Sequence, residues 1–239
     1  EEKEKKLSIS GSIDAYYQTY LSASDNDEQS FGTSFANRTG FALGMANLIA
    51  SYEGEKTGVV ADLAFGPRGI DAVGGDNDIF INQLYAYWNV SEGTTLTVGR
   101  FNTYLGYEVI SPSANFNYST SYMFSNGPFS HVGLKADFAL SDDFSLMLAV
   151  MNPTDTNNNT TGDYAFGAQL GYKGQFLNFY YDSGVVLGFE VDYTGGFDLT
   201  DSFFLGINAA YADNDGSGFY GAALYPQYSI NDAFSLGLR

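Results

Sequence analysis

The sequence predicts an all-β protein: a transmembrane antiparallel up-and-down β-barrel of about 12–14 strands, with a long loop (102–130) folded into its lumen. Three observations carry that prediction. Apolar and polar residues alternate over segments longer than soluble strands. The polar side of the alternation is made of small residues and acids, with few lysines. Short connections interleave with long ones.

Alternation is strict from the start. Leu7, Ile9, Ile13, Ala15, Tyr17 and Leu21 face away from Ser8, Ser10, Ser12, Asp14, Tyr16, Gln18 and Tyr20. Strands in soluble proteins usually run about 5–6 residues, whereas a spanning strand needs about 9–11. Val59, Leu63 and Phe65 then alternate with Val60, Asp62 and Ala64, and Leu84, Ala86 and Trp88 with Gln83, Tyr85 and Tyr87. The pattern returns at 132–140, 144–150, 164–172, 187–194 and 205–211. In each segment one face is greasy and the other is Gly, Ala, Ser, Asn, Asp or Tyr. Charges on a lipid face cost up to about 2–4 kcal/mol each near the midplane, so the charged side must point inward.

The short connections are 52–58, 91–95, 141–143, 173–175, 195–202 and 229–233; the long set is 22–38, 66–78, 102–130, 153–162, 182–184 and 213–217, of which only 182–184 reads as tight. "LSDDFSL", "LTDSFFL" and "INDAFSL" repeat one turn chemistry, an acid at a hairpin before Phe, and mark one rim. Counting segments gives about thirteen strands, the last being "FSLGLR", while single-chain bacterial barrels close with an even number. The expectation is a further strand beyond Arg239, or one segment outside the wall.

Composition agrees. The 239 residues contain no linker and read as one domain, 1–239, with 1–6 a short charged segment lacking an apolar signal core, and with a C-terminal strand that is incomplete as given. Aromatics reach 17%, which two aromatic rims would absorb. Mean hydropathy is only −0.14, and no run of 18 apolar residues offers a transmembrane helix. A net charge of −18 argues against nucleic acid as a partner. With no cysteine, disulfides and thiolate chemistry are excluded.

Within 99–133 stand "GRF" (99–101), Gly106, Glu108, "NYSTSYMF" (117–124) and "GPFSHVG" (127–133), and the chain opens with "SGSIDAYYQTY" (10–20). These stretches resemble the OmpL-like β-barrel porin family of Gram-negative outer membranes. The resemblance implies an outer-membrane barrel, a channel for small hydrophilic solutes, and signal-peptide cleavage ahead of the residues seen here. Outer-membrane barrels usually end on an aromatic closing strand, from which "GLR" departs.

The candidate pore-lining residues are Asp14, Asp62, Lys135, Asp137, Asp182, Glu190 and Asp192, an acidic set that predicts a preference for cations. The candidate constriction comprises Arg100, Tyr104, Tyr107, Glu108, Tyr118, Tyr122, Phe124 and His131. Strand alternation would turn Arg100 outward, but a bulge at the strand end would bring it in, and inward is the expectation. His131, the only histidine, has Ser130 beside it and Asp137 nearby; neighbours on a strand point apart, so no triad is expected and His131 reads as a tie between loop and wall. "DNDGSG" offers Asp213, Asp215 and Ser217 as weak calcium ligands, but the twelfth position is Leu224 and a strand follows, so no EF-hand is expected. Acidic runs at 24–28 and 74–79 are further rim candidates. No cofactor or metal and no catalysed reaction are expected; the partners are outer-membrane lipid and small solutes or cations. The alternative is a plugged structural barrel serving as a subunit of a larger outer-membrane assembly. An outer-membrane enzyme and a soluble β-sandwich stand behind it.

Overall fold

Period-two alternation becomes a single sheet. The computed structural model describes residues 6–19, 33–36, 38–73 and 80–239. Their strands are β1 (Lys6–Gln18), β2 (Gly40–Glu53), β3 (Thr57–Phe65), β4 (Ile81–Ser91), β5 (Thr94–Asn102), β6 (Ser130–Ala139), β7 (Phe144–Met151), β8 (Ala165–Tyr172), β9 (Gln175–Tyr181), β10 (Phe189–Thr200), β11 (Phe203–Asn214), β12 (Ser217–Asn231) and β13 (Phe234–Gly237). The 13 strands lie in sequence order, each antiparallel to the next, an up-and-down β wall. Two short helices, α1 (Pro67–Val73) and α2 (Tyr122–Asn126), sit in long connections. No helix among the described residues is long and apolar enough to cross a membrane.

The outer face explains the aromatic content. Tyr17, Phe41, Phe65, Phe166, Tyr181, Phe189, Tyr211 and Tyr220 are exposed near the rim of the long connections. Tyr52, Trp88, Phe144, Tyr172, Phe197 and Tyr228 are exposed near the other. Leu48, Leu84, Val98, Leu134 and Leu148 fill the belt between. On one strand, Phe189 and Phe197 are separated by roughly 26 Å of rise, about 20 Å along the barrel axis for strands tilted about 40°. This is an apolar band between two girdles of rings that can sit at lipid headgroups.

The six short connections share one rim, as the repeat predicts, but several boundaries differ from the sequence reading. Residues 195–200 belong to β10, so the turn there is only Asp201 and Ser202. The tight member of the long set is the last: Asp215 and Gly216 both have positive φ, 51° and 84°, the geometry of a two-residue type I′ hairpin. The connection at 182–184 instead runs over 182–188. Asp182 organises it. Its carboxylate accepts the backbone N–H groups of Gly184, Val185, Val186, Leu187 and Gly188 at 2.7–3.2 Å, together with the Tyr180 hydroxyl at 3.1 Å. Among the described residues, β1 pairs only with β2 and β13 only with β12. The acidic runs 24–28 and 74–79 lie outside the described residues, as does most of 22–38.

Candidate functional site

The connection 103–129 turns inward and lies against the inner face of the wall. Its sequence makes that possible: apolar and aromatic side chains give it two surfaces to bury, and turns at Gly106 and Pro112 keep it compact. At its start, Leu105 joins Phe101, Met147, Ala149, Met151, Ala165 and Tyr180 in one apolar cluster. Farther along, Ile110 and Phe124 join Phe35, Met45, Ala64, Ala72 and Val73 in a second. Ser121 caps α2, accepting the Phe124 N–H at 3.1 Å.

Hydrogen bonds then fix the loop to distant parts of the wall. The Tyr104 hydroxyl donates to Phe179 O at 2.6 Å on β9, and Gly106 N donates to Asp192 Oδ1 at 3.0 Å on β10. Tyr118 donates to Asp14 on β1, whose other oxygen accepts Met45 N at 2.8 Å. Arg68 of α1 donates to Ile110 O at 2.9 Å and Tyr118 O at 3.1 Å, with its guanidinium 4.6 Å from the Phe35 ring centroid. Burial pulls the Arg68 pKa below its ordinary value, against the opposing pull of Tyr118, Asp14 and Glu108. Arg239 donates to Glu108 at 2.8 Å and also bonds Ser119. Tyr107 stacks on Tyr225 of β12, 4.3 Å between centroids.

Small residues on the inner face receive these rings. A Cβ at Gly167 would overlap the Tyr104 hydroxyl, and one at Gly206 would overlap that of Tyr107. The glycines are notches for the loop. Two polar cavities remain at its foot: one of about 570 Å³, whose lining includes Tyr85, Tyr87, Thr97, Tyr104, Lys135 and Asp137, and one of about 650 Å³, whose lining includes Tyr107, Glu108, Asn115, Tyr225 and Gln227.

The expected site residues fall into distinct environments. Lys135 and Asp137 pair at 2.7 Å and reach the first cavity. Asp62 is buried, accepting Asn47 Nδ2 at 2.7 Å and Asn82 Nδ2 at 2.6 Å. A bulge in β4 opposite Asp62 and Leu63 is what admits Asn82. Glu190 and Asp192 are buried beneath the loop, and Asp14 anchors it. Asp182 departs from its expected place: fully buried, it holds its own loop and does not face a passage.

Arg100 also differs. Its register partners are Leu84 and Val132, on the face opposite Phe101, and its guanidinium is covered by bonds to Asn82 O at 3.3 Å and to Asn157. The covering loop 152–164, rather than a bulge that turns the side chain, is what shields this charge. His131 is fully buried among Phe101, Tyr104 and Tyr180, with Nε2 2.9 Å from Thr103 Oγ1, at the root of the loop. Tyr122 is exposed, and Phe124 lies in the second apolar cluster. Asp213 accepts Gly216 N at 3.2 Å, a hairpin-tip bond, with Asp215 in the turn and Ser217 opening β12. Among the described residues no group of three or more acids or histidines is placed to hold a metal ion.

Sequence reasoning missed Arg68, Arg239 and Asn82. Arg68 carried a weak signal, a basic residue after "FGP" in an otherwise acidic connection. Nothing local marks the other two.

One family model matches the chain over residues 6–239, described as "Putative beta-barrel porin-2, OmpL-like". No curated protein matches it.

Proposed function

The chain belongs to the OmpL-like β-barrel porin family, and on that premise we propose that it is an outer-membrane channel for the diffusion of small hydrophilic solutes, with residues 103–129 as its constriction. The short turns face the periplasm and the long connections the outside. The observation that carries this reading is the loop itself. It is bonded to β1, β9 and β10 from within, and polar cavities of about 570 and 650 Å³ lie at its foot. Tyrosines, threonines and amides line them, a surface that wets readily and binds no solute tightly.

Cation preference follows from how the inner carboxylates are partnered. Asp62 and Asp192 are held by amide donors, which satisfy their oxygens without cancelling their charge. Lys135 offsets only Asp137. The residual field is negative in a narrow, low-dielectric space. The reading involves no catalysed reaction, and the enclosure of His131 by the rings of Phe101, Tyr104 and Tyr180 supports it.

Planar-bilayer recording of the purified protein tests both parts. Discrete conductance steps are expected, and under a salt gradient a reversal potential of cation-selective sign. A second reading, a sealed structural barrel, is favoured by the two apolar clusters that seat the loop. Intact protein that gives no steps would establish that reading in place of the channel.

A further inference from the structure

One stretch of the inner wall differs from the rest of this acidic molecule, because its charges cancel and a tyrosine ring lies along it. Tyr87 on β4, Thr97 on β5 and Lys135 on β6 are consecutive register partners, so they stand in one row across the sheet. Thr95 and Asp137 stand in the adjacent row on the same face. All five line the cavity of about 570 Å³, a size within the roughly 300–1,000 Å³ of small-molecule sites.

Lys135 Nζ donates to Asp137 Oδ2 at 2.7 Å, and the two side chains are 25% and 41% exposed, so the pair is within a solute's reach and carries no net charge. The Phe101 ring, 5.7 Å from Nζ, steadies the ammonium, which has three donors and spends one on the carboxylate. A donor and an acceptor then lie side by side, and two neighbouring hydroxyl groups can answer both at once. At the other end of the row a Cβ at Gly58 would overlap the Tyr87 ring, so one face of that ring rests on the wall and the other is turned to the cavity. Two strand spacings, about 10 Å, separate Tyr87 from Lys135. A sugar ring fits that span, with its C–H bonds on the negative face of the tyrosine and its hydroxyls on the pair.

The lining argues against other classes of solute. A net-neutral wall gives an ion no advantage, and the threonine hydroxyls with the amides of Gln83 and Gln169 leave little apolar surface for a hydrophobic molecule. The second cavity lacks this arrangement: Tyr107 is already stacked on Tyr225, and Glu108 is paired with Arg239. Resting on the channel reading for how a solute arrives, we propose that the first cavity is a weak binding site for neutral sugars, in which Tyr87 takes the C–H face of a pyranose and Lys135 with Asp137 takes two adjacent hydroxyls. A dissociation constant on the order of 1–10 mM is expected of a site open on one side, and it lets the solute leave as readily as it enters.

Saturation-transfer NMR on the full chain, in an amine-oxide detergent that carries no sugar headgroup, tests this without requiring conductance. Maltose should receive saturation from the protein, while lysine and glutamate should receive none. Asp137→Ala should weaken maltose binding about tenfold and Tyr87→Leu roughly threefold, whereas Lys173→Ala, at the rim, should bind as the wild type does. No transfer to maltose, equal transfer to the charged solutes, or equal binding by the wild type and the two cavity variants overturns the proposal, whatever bilayer recordings show. Maltose binding by a barrel that gives no conductance steps would keep the site and remove the channel. Should the variants not fold, the wild type still decides: transfer from aromatic protons to the sugar's C–H protons supports the stacking, and transfer from aliphatic protons alone defeats it.

Discussion

Residues 182–188 and 103–129 leave the same rim of the barrel, yet they are held by opposite means. The first is organised by one carboxylate of its own, Asp182, through backbone N–H groups two to six residues away. The second is held by partners 104 residues away at Asp14, 86 at Asp192 and 131 at Arg239. A loop of the first kind keeps its shape wherever it is placed. A loop of the second kind has its shape only inside an assembled wall, and in return it ties one side of that wall to the other.

The largest expected effect separates the two loops by function. Replacing 107–118 with a short Gly-Ser linker should raise single-channel conductance several-fold, while the same replacement of 183–187 should leave conductance unchanged. Equal changes in the two proteins would erase the distinction between constriction and rim.

Stability should show the reverse emphasis. Asp182→Ala leaves five backbone donors and the Tyr180 hydroxyl without their acceptor. The expected cost is about 3 kcal/mol, a fall in Tm of about 6–12 °C, with new proteolytic cleavage within 183–187. Asp182→Asn should recover part of it, because one amide oxygen remains to accept. A Tm within a degree of wild type would mean that the loop does not depend on its carboxylate.

The distributed loop should yield in smaller steps. Arg68→Met removes two bonds to loop carbonyls and the contact with Phe35, at about 2 kcal/mol. Tyr118→Phe removes only the bond to Asp14, at about 1 kcal/mol. Both should add open-channel noise in bilayer recordings, as the loop gains freedom, which Asp182→Ala should not. Quiet traces from both variants would show that the apolar clusters alone seat the loop.

This contrast also explains what the sequence discloses. The strands and one rim are legible because alternation and turn chemistry are local, and Tyr104, Tyr107 and Phe124 point to a packed loop by composition alone. The partners of that loop are not legible, since nothing near Arg68 or Asp14 encodes a contact with Tyr118. Asp182 was within reach: an acid followed by Ser-Gly and a glycine six residues on is the pattern of a carboxylate gathering its own loop's amides. Asp215-Gly216 was as well, since Asp-Gly between alternating runs signals a type I′ hairpin before it suggests a cation loop. Arg100 misleads because periodicity assigns a face but not what covers it, and Asn157 arrives from another connection.

The smallest effect tests whether charge pairing as such matters at the rims. Lys173 and Asp143 approach to 3.4 Å beside the short turns, with side chains 57% and 49% exposed. Water and salt screen such a pair, and holding two mobile side chains together offsets most of the attraction. Lys173→Ala should therefore shift stability by no more than about 0.5 kcal/mol. The carboxylates at Asp182 and beneath the inward loop differ from Asp143 in burial and in the number of donors they require, not in chemistry. A loss at Lys173 comparable to that at Asp182 would mean that the rim pairs, rather than the buried acceptors, hold the barrel's connections.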